Sequence, residues 1–514
     1  MRVKHTFLAL VATGALIGGL VAAPATAATA ATTAATAANG ATIANGATAA
    51  NRTAAANGNT AIPAAAGPTG IEGSAEGAIR ESAARTDGAR HIDTPTMISR
   101  ITALHENTYD FLVESPTDWA DLSTEFMPAA QAAGIRVFGY LVPPSECPSS
   151  SGHDGSCDGY LPYHKDYVAW GKALATLSVR YPDLVGWTVD DMDYNLTLFT
   201  ASYVNSMNTA ARSIAPNLSF YLQLYQPTIT QSRIDSYAAG IAGVIMPYRD
   251  GAYRNTAWTG TFQSAVNSVT AILNRDSKQL IVMLYGNSLS STDIPPDTDY
   301  VRTLTSQALA DTASAQIAGV ILWNLILDPT GRPANSATNQ AHTGNGALVL
   351  TVAANTATSA GQYAQASTTI HLDSGSSSCV MVLHRRDSRP TSAPAGYHER
   401  EAYVGGHAVW KTDVTYDGTD WYSSSPLDIT SDLTNGSASL VLRLTELTGV
   451  ANYQVTMAFD DITLTGCGIA NPTFETDSGW TISRSGGPVL ASIYQYSPTY
   501  TTDTFAAVAS LYNG

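Results

Sequence analysis

Between residues 91 and 340, short apolar runs alternate with longer stretches of helical periodicity. The runs read as strands: "YDFLV" (109–113), "VFGYLV" (137–142), "VGWTVD" (185–190), "SFYLQLY" (219–225), "GVIMPY" (243–248), "QLIVMLYG" (279–286) and "GVILWNL" (319–325). Segments such as "LSTEFMPAAQAAG" and "DYVAWGKALATLSVRYP" lie between them and repeat apolar residues every three to four positions. Strand–helix repetition over about 250 residues predicts a parallel sheet closed into a (β/α)8 barrel. A doubly wound open sheet is the alternative, but no Gly-rich phosphate loop follows an early strand. Seven strands are visible, and the first is not.

The pattern changes on either side. Residues 28–90 read as an Ala/Thr/Asn/Gly-rich linker without the large side chains that offset chain entropy, with a short helix within 71–90. Residues 1–27 read as a secretory signal peptide, with a basic start, an apolar run and a small-residue site after Ala27. From residue 341 to 514 short alternating strands with Gly, Ser and Asn turns predict an all-β sandwich.

Charge and cysteines narrow the function classes. Twenty-six Lys and Arg against 42 Asp and Glu give a formal charge of −16, which disfavours a nucleic-acid partner. No later segment is apolar for the roughly 20 residues of a membrane span. A secreted protein with four cysteines is expected to pair them as Cys147–Cys157 and Cys379–Cys467.

Candidate chemistry gathers where the predicted strands end, the catalytic rim of such barrels. Glu114 follows the first visible strand and Glu146 the second. "VGWTVDDMD" ends in Asp190, Asp191 and Asp193. Gln223 and Tyr225 share a face with Tyr221, while Tyr248, Arg249 and Asp250 end "GVIMPYRD". Asn287, Trp323 and Asn324 complete the set. Strand alternation puts Val185, Trp187 and Val189 toward the helices and Gly186, Thr188 and Asp190 into the barrel. Two carboxylates flanking one bond are what glycoside hydrolysis needs.

If "YDFLV" is strand two, Asp190 ends strand four and Asp250 follows strand six. That layout resembles the α-galactosidase-like barrels. The resemblance implies Asp190 as nucleophile or base and Asp250 as general acid, with Asp191 assisting. Asp193, Glu114, Glu146, Gln223, Tyr225, Tyr248, Arg249, Asn287, Trp323 and Asn324 would bind a polysaccharide or oligosaccharide. "AFDDITL" (458–464) and "NPTFETDSGW" (471–480) resemble the jelly-roll modules of secreted polysaccharide-active enzymes, but in reversed order. The reversal implies a circular permutation or a truncated second copy, with permutation preferred. The same resemblance implies a structural Ca²⁺ at Asp460 or Asp461 with Glu475, Asp461 preferred; catalysis is expected to need no cofactor. Trp410, Trp421 and Tyr422 are either a sugar-stacking surface or core. A non-catalytic carbohydrate-binding protein is the alternative function. A polysaccharide lyase is weaker, because Arg249 and Arg254 are its sole cationic support.

Overall fold

The computed structural model describes residues 67–146, 162–249, 256–288, 295–328, 330, 333–335, 339–352, 357–389, 394–414, 420–450 and 454–514. The signal-peptide reading, Cys147, Cys157, Asp250 and Arg254 lie outside them.

Eight parallel strands close into a barrel: β1 (Ile71–Ala75), β2 (Thr108–Val113), β3 (Arg136–Leu141), β4 (Leu184–Val189), β5 (Ser219–Gln223), β6 (Gly243–Pro247), β7 (Gln279–Tyr285) and β8 (Gly319–Trp323). The missing first strand is "IEGSA", inside the stretch read as linker and short helix. It pairs with β2 on one side and β8 on the other, so it closes the barrel. Its backbone bonds carry it, because Ile71 is its one large apolar residue.

Alternation sorts the side chains into two layers. Ile71, Phe138, Tyr140, Tyr221, Ile245, Ile281, Met283 and Ile321 fill the barrel. Trp187, Val189, Phe220 and Val244 face the helices. The ring of Phe138 occupies the space beside Gly186, where a Cβ would stand 2.5 Å from it. Val185 departs from the expected alternation. A register shift between β3 and β4 falls at this residue, and it packs with the interior cluster.

The sandwich spans β9 (Gly346–Val352), β10 (Tyr363–Leu372), β11 (Val380–Ser388), β12 (His398–Val404), β13 (His407–Asp413), β14 (Tyr422–Ser423), β15 (Leu427–Asp428), β16 (Ser437–Glu446), β17 (Val455–Thr465), β18 (Cys467–Ile469), β19 (Thr481–Arg484) and β20 (Val489–Gln495). One sheet runs β13-β12-β16-β10-β18 with β19 beside β10; the other runs β14-β11-β17-β9-β20 with β15 beside β11. The strands after "NPTFETDSGW" therefore complete the same sandwich, as permutation requires and a truncated second copy does not. Cys379 and Cys467 are bonded, Cα atoms 5.3 Å apart.

The all-β reading of residues 341–514 fails at its end. Tyr500–Tyr512 is a helix, and it returns to the barrel. It packs on helix Thr298–Ala313 and meets helix Thr94–Ala103, where Arg100 stacks on Phe505 at 3.8 Å. Tyr512 donates to the Gly73 carbonyl in β1 at 3.1 Å, and Tyr500 to the Gly286 carbonyl at 2.7 Å. A helix between those following β7 and β1 occupies the eighth helical slot of the barrel. The sandwich is thus inserted between β8 and its helix, which explains why β9 and β20, its first and last strands, are paired neighbours.

Candidate functional site

Asp190 follows β4 directly, and its amide donates to the Leu141 carbonyl at 2.8 Å, prolonging the β3–β4 ladder. Asp191 then adopts φ 37°, ψ 43°, a left-handed conformation that Asp tolerates better than most residues. The kink stops the strand and starts the turn Met192–Asn195. One Asp190 oxygen accepts from Gln223 Nε2 at 2.6 Å and from the Asp191 amide at 2.8 Å. Gln223 Nε2 also lies 3.3 Å from the Tyr140 hydroxyl, to which it donates.

Glu146 reaches the same point from the β3 loop. Asn195 ties that loop down, accepting from the Ser145 amide at 3.3 Å and donating to Ser145 Oγ at 2.8 Å. The Glu146 carboxyl lies in hydrogen-bond contact with those of Asp190 and Asp191. Contact of this kind requires a shared proton. Loss of hydration and then the Asp190 and Asp191 charges raise the Glu146 pKa. Asp190 itself is pushed up to about 6, first by burial and then by Asp191, against its hydrogen bonds.

Aromatic groups and one guanidinium line the next sector. Tyr225 donates to Asp191 Oδ1 at 2.6 Å, and Arg249 stacks on the Tyr225 ring at 3.5 Å. Arg249 is buried and also donates to the Tyr194 hydroxyl at 3.2 Å. Tyr285 bonds Tyr225 and meets Trp323 edge-on, ring centroids 5.3 Å apart.

Sequence reasoning missed Glu76 because it missed the strand before it. Glu76 follows β1 with φ 62°, half-buried, beside the Trp323 side chain. Burial raises its pKa well above the usual carboxylate range, with Asp190, Glu114 and Asp191 adding to the effect. A Cβ on the next residue, Gly77, would stand 2.3 Å from the Leu325 carbonyl, so close approach of the β1 and β8 exits needs glycine there. Glu76, Asp191 and Asn324 are non-glycine residues with positive φ at the exits of β1, β4 and β8. Such conformations cluster where function over-determines the backbone.

Other predicted residues stand elsewhere. Asp193 accepts from the Tyr225 amide and Thr228 Oγ1, both at 2.7 Å, so it anchors the β5 loop rather than facing the mouth. Tyr248 points to the helical layer and bonds Thr261 Oγ1 at 2.9 Å. It continues the outward face of Val244 and Met246, away from the mouth where it was expected to bind substrate. Glu114 is 55% exposed with Arg80 4.0 Å away. Asn287 is buried, its carbonyl capping the Ser288 amide. Asn324 binds the β1 exit through its own amide, which donates to the Ala75 carbonyl at 2.8 Å.

In the sandwich, Glu475 accepts from the amides of Asn345 and Gly346 at 3.0 and 3.1 Å. Asp461 accepts from His342 Nδ1 at 2.7 Å and Thr343 Oγ1 at 2.8 Å. Both acids thus hold the chain entering β9. Trp410 packs on the sandwich core; Tyr422 is exposed. Among the described residues, a three-ligand cluster occurs at His91, Asp121 and Glu125 outside the barrel. Arg85 already bonds Glu125, and His91 bonds Asp121 at 2.6 Å.

No protein-family model and no curated protein matches this chain. Solved structures share its fold at a distance. A glucosidase from Croceicoccus marinus has 10% identity and TM-score 0.35, covering 76% of this chain and 100% of that one. A calcium-binding mutant of Bacteroides uniformis beta-glucuronidase 2 has 8% identity and TM-score 0.37, covering 77% and 66%. A tryptophan synthase complex from Pyrococcus furiosus has 8% identity and TM-score 0.30, covering 50% and 89%.

Proposed function

We propose that the protein is a secreted glycoside hydrolase acting on a polysaccharide or oligosaccharide, with the barrel mouth as its active site. One observation carries the reading: Asp190, at the end of β4 and bonded by Gln223, stands beside the Glu146 carboxyl, and burial with the neighbouring acids pushes both pKa values up, that of Asp190 to about 6. An ionised and a protonated carboxyl in one site are the two states that glycosidic cleavage uses. Asp190 attacks the anomeric carbon or activates water there. Asp191, held by Tyr225, tunes it. The sequence layout offers Asp250 as general acid, and the aromatic sector of Tyr225, Tyr285 and Trp323 gives sugar rings apolar faces to rest on.

Asp190→Asn and Asp250→Asn, assayed on plant, fungal and bacterial polysaccharides, test this reading. If both variants retain wild-type hydrolysis, the assignment is wrong. Binding of a glycan by the wild type without product would favour the carbohydrate-binding alternative. A structural Ca²⁺ at Asp461 and Glu475 is a separate proposal, resting on the oxygen chemistry of that pair. Chelation should then lower Tm; an unchanged Tm leaves the donors of residues 342–346 as their sole partners.

A further inference from the structure

The proposed reaction needs a proton donor on the far side of the scissile bond from Asp190. Glu146 does not meet that need, because its carboxyl touches Asp190, whereas retaining pairs stand about 5 Å apart and inverting pairs about 6.5–9.5 Å. Touching carboxyls share a proton and leave no room for a sugar between them. Glu76 is placed differently. It leaves β1, three strands around the closed ring from β4, so its chain reaches the mouth from a different side than that of Asp190. Two features fix it there: the left-handed backbone and the glycine-tight contact between Gly77 and Leu325.

We infer that Glu76, in place of the Asp250 that the sequence layout offers, is the general acid of the barrel, with Trp323 beside its carboxyl. This rests on the hydrolase reading and assigns a role within it. The Glu76 O–H gives its proton to the glycosidic oxygen as the bond from that oxygen to the anomeric carbon breaks. Asp190 bonds to that carbon from the opposite face, to be displaced later by water, or takes a proton from the water that bonds there. Water supplies the elements of hydrolysis, and the proton returned to Glu76 completes the cycle. Loss of hydration and the neighbouring Asp190 charge push the Glu76 pKa up, the direction a donor requires.

The test is Glu76→Gln, compared on the polysaccharide that the wild type cleaves and on a dinitrophenyl glycoside of the same sugar. A dinitrophenolate leaves without a proton. Glu76→Gln should therefore lose about 10²–10⁴-fold on the polysaccharide and less than about tenfold on the aryl glycoside. Glu76→Ala should regain turnover with added formate. Equal losses on both substrates, or no loss on either, would overturn the inference while Asp190→Asn remains inactive. If Asp190→Asn is itself fully active, the hydrolase reading fails first.

Discussion

Acids are crowded in two regions of this molecule, and the two treat them in opposite ways. In the sandwich the buried acids Asp387 and Glu401 face cations. Asp387 on β11 meets Arg385 at 3.0 Å and Arg400, which reaches it from β12 in the other sheet. Glu446 meets His398 at 2.7 Å and Thr358 at 2.9 Å, and Glu401 meets Lys411. In the mouth Glu76, Glu146, Asp190 and Asp191 face chiefly one another, with tyrosine, glutamine and tryptophan beside them. The guanidinium of Arg249 is laid on Tyr225. Paired acids stabilise a fold; crowded unpaired ones strain it and are retained for chemistry.

The largest effect should separate the two regions most cleanly. Asp190→Asn should lower kcat about 10²–10⁴-fold. Its stability effect has the opposite sign. Asp190 titrates at about 6 in the fold against 3.8 in the unfolded chain. A raised carboxyl pKa contributes stability below the unfolded value and loses it as pH rises through the folded one. At neutral pH the amide removes that strain, so Tm should rise, by scanning calorimetry. Asp387→Ala should do the reverse. It leaves Arg385 and Arg400 uncompensated, which costs about 3–5 kcal/mol, read by urea unfolding. Below its lowered midpoint the variant should keep wild-type kcat. A loss of activity there would break the division between folding acids and working acids.

A smaller, graded effect is expected with pH. Asp190 must be ionised to act, so kcat/KM should fall about tenfold per unit below pH 6 and level off above it. A rising limb placed near pH 4 instead would mean that Asp190 is not strained in the way the mouth implies.

What the sequence disclosed follows from the strength of its periodicity. Strands β2 to β8 each carry several large apolar residues, and they were legible, as was the inward face of β4 that singles out Asp190. The strand "IEGSA" has one such residue and a central glycine, next to low-complexity chain, so its signal is submerged. Its register comes from β2 and β8, which no local pattern encodes. Glu76 was lost with it. The helix Tyr500–Tyr512 was hidden for the same reason, since its role depends on closing a barrel that begins 429 residues earlier, at Ile71. Asp193 shows the converse limit. Its spacing from Asp190 suggested a shared site, but the turn after Asp191 redirects it to Thr228.

The most direct test of the account is paired product analysis and calorimetry on the wild type and Asp190→Asn, with the polysaccharide panel at pH 7. The account predicts new reducing ends with the wild type, none above background with the variant, and a variant Tm equal to or above that of the wild type. Undiminished hydrolysis by a folded Asp190→Asn would contradict it.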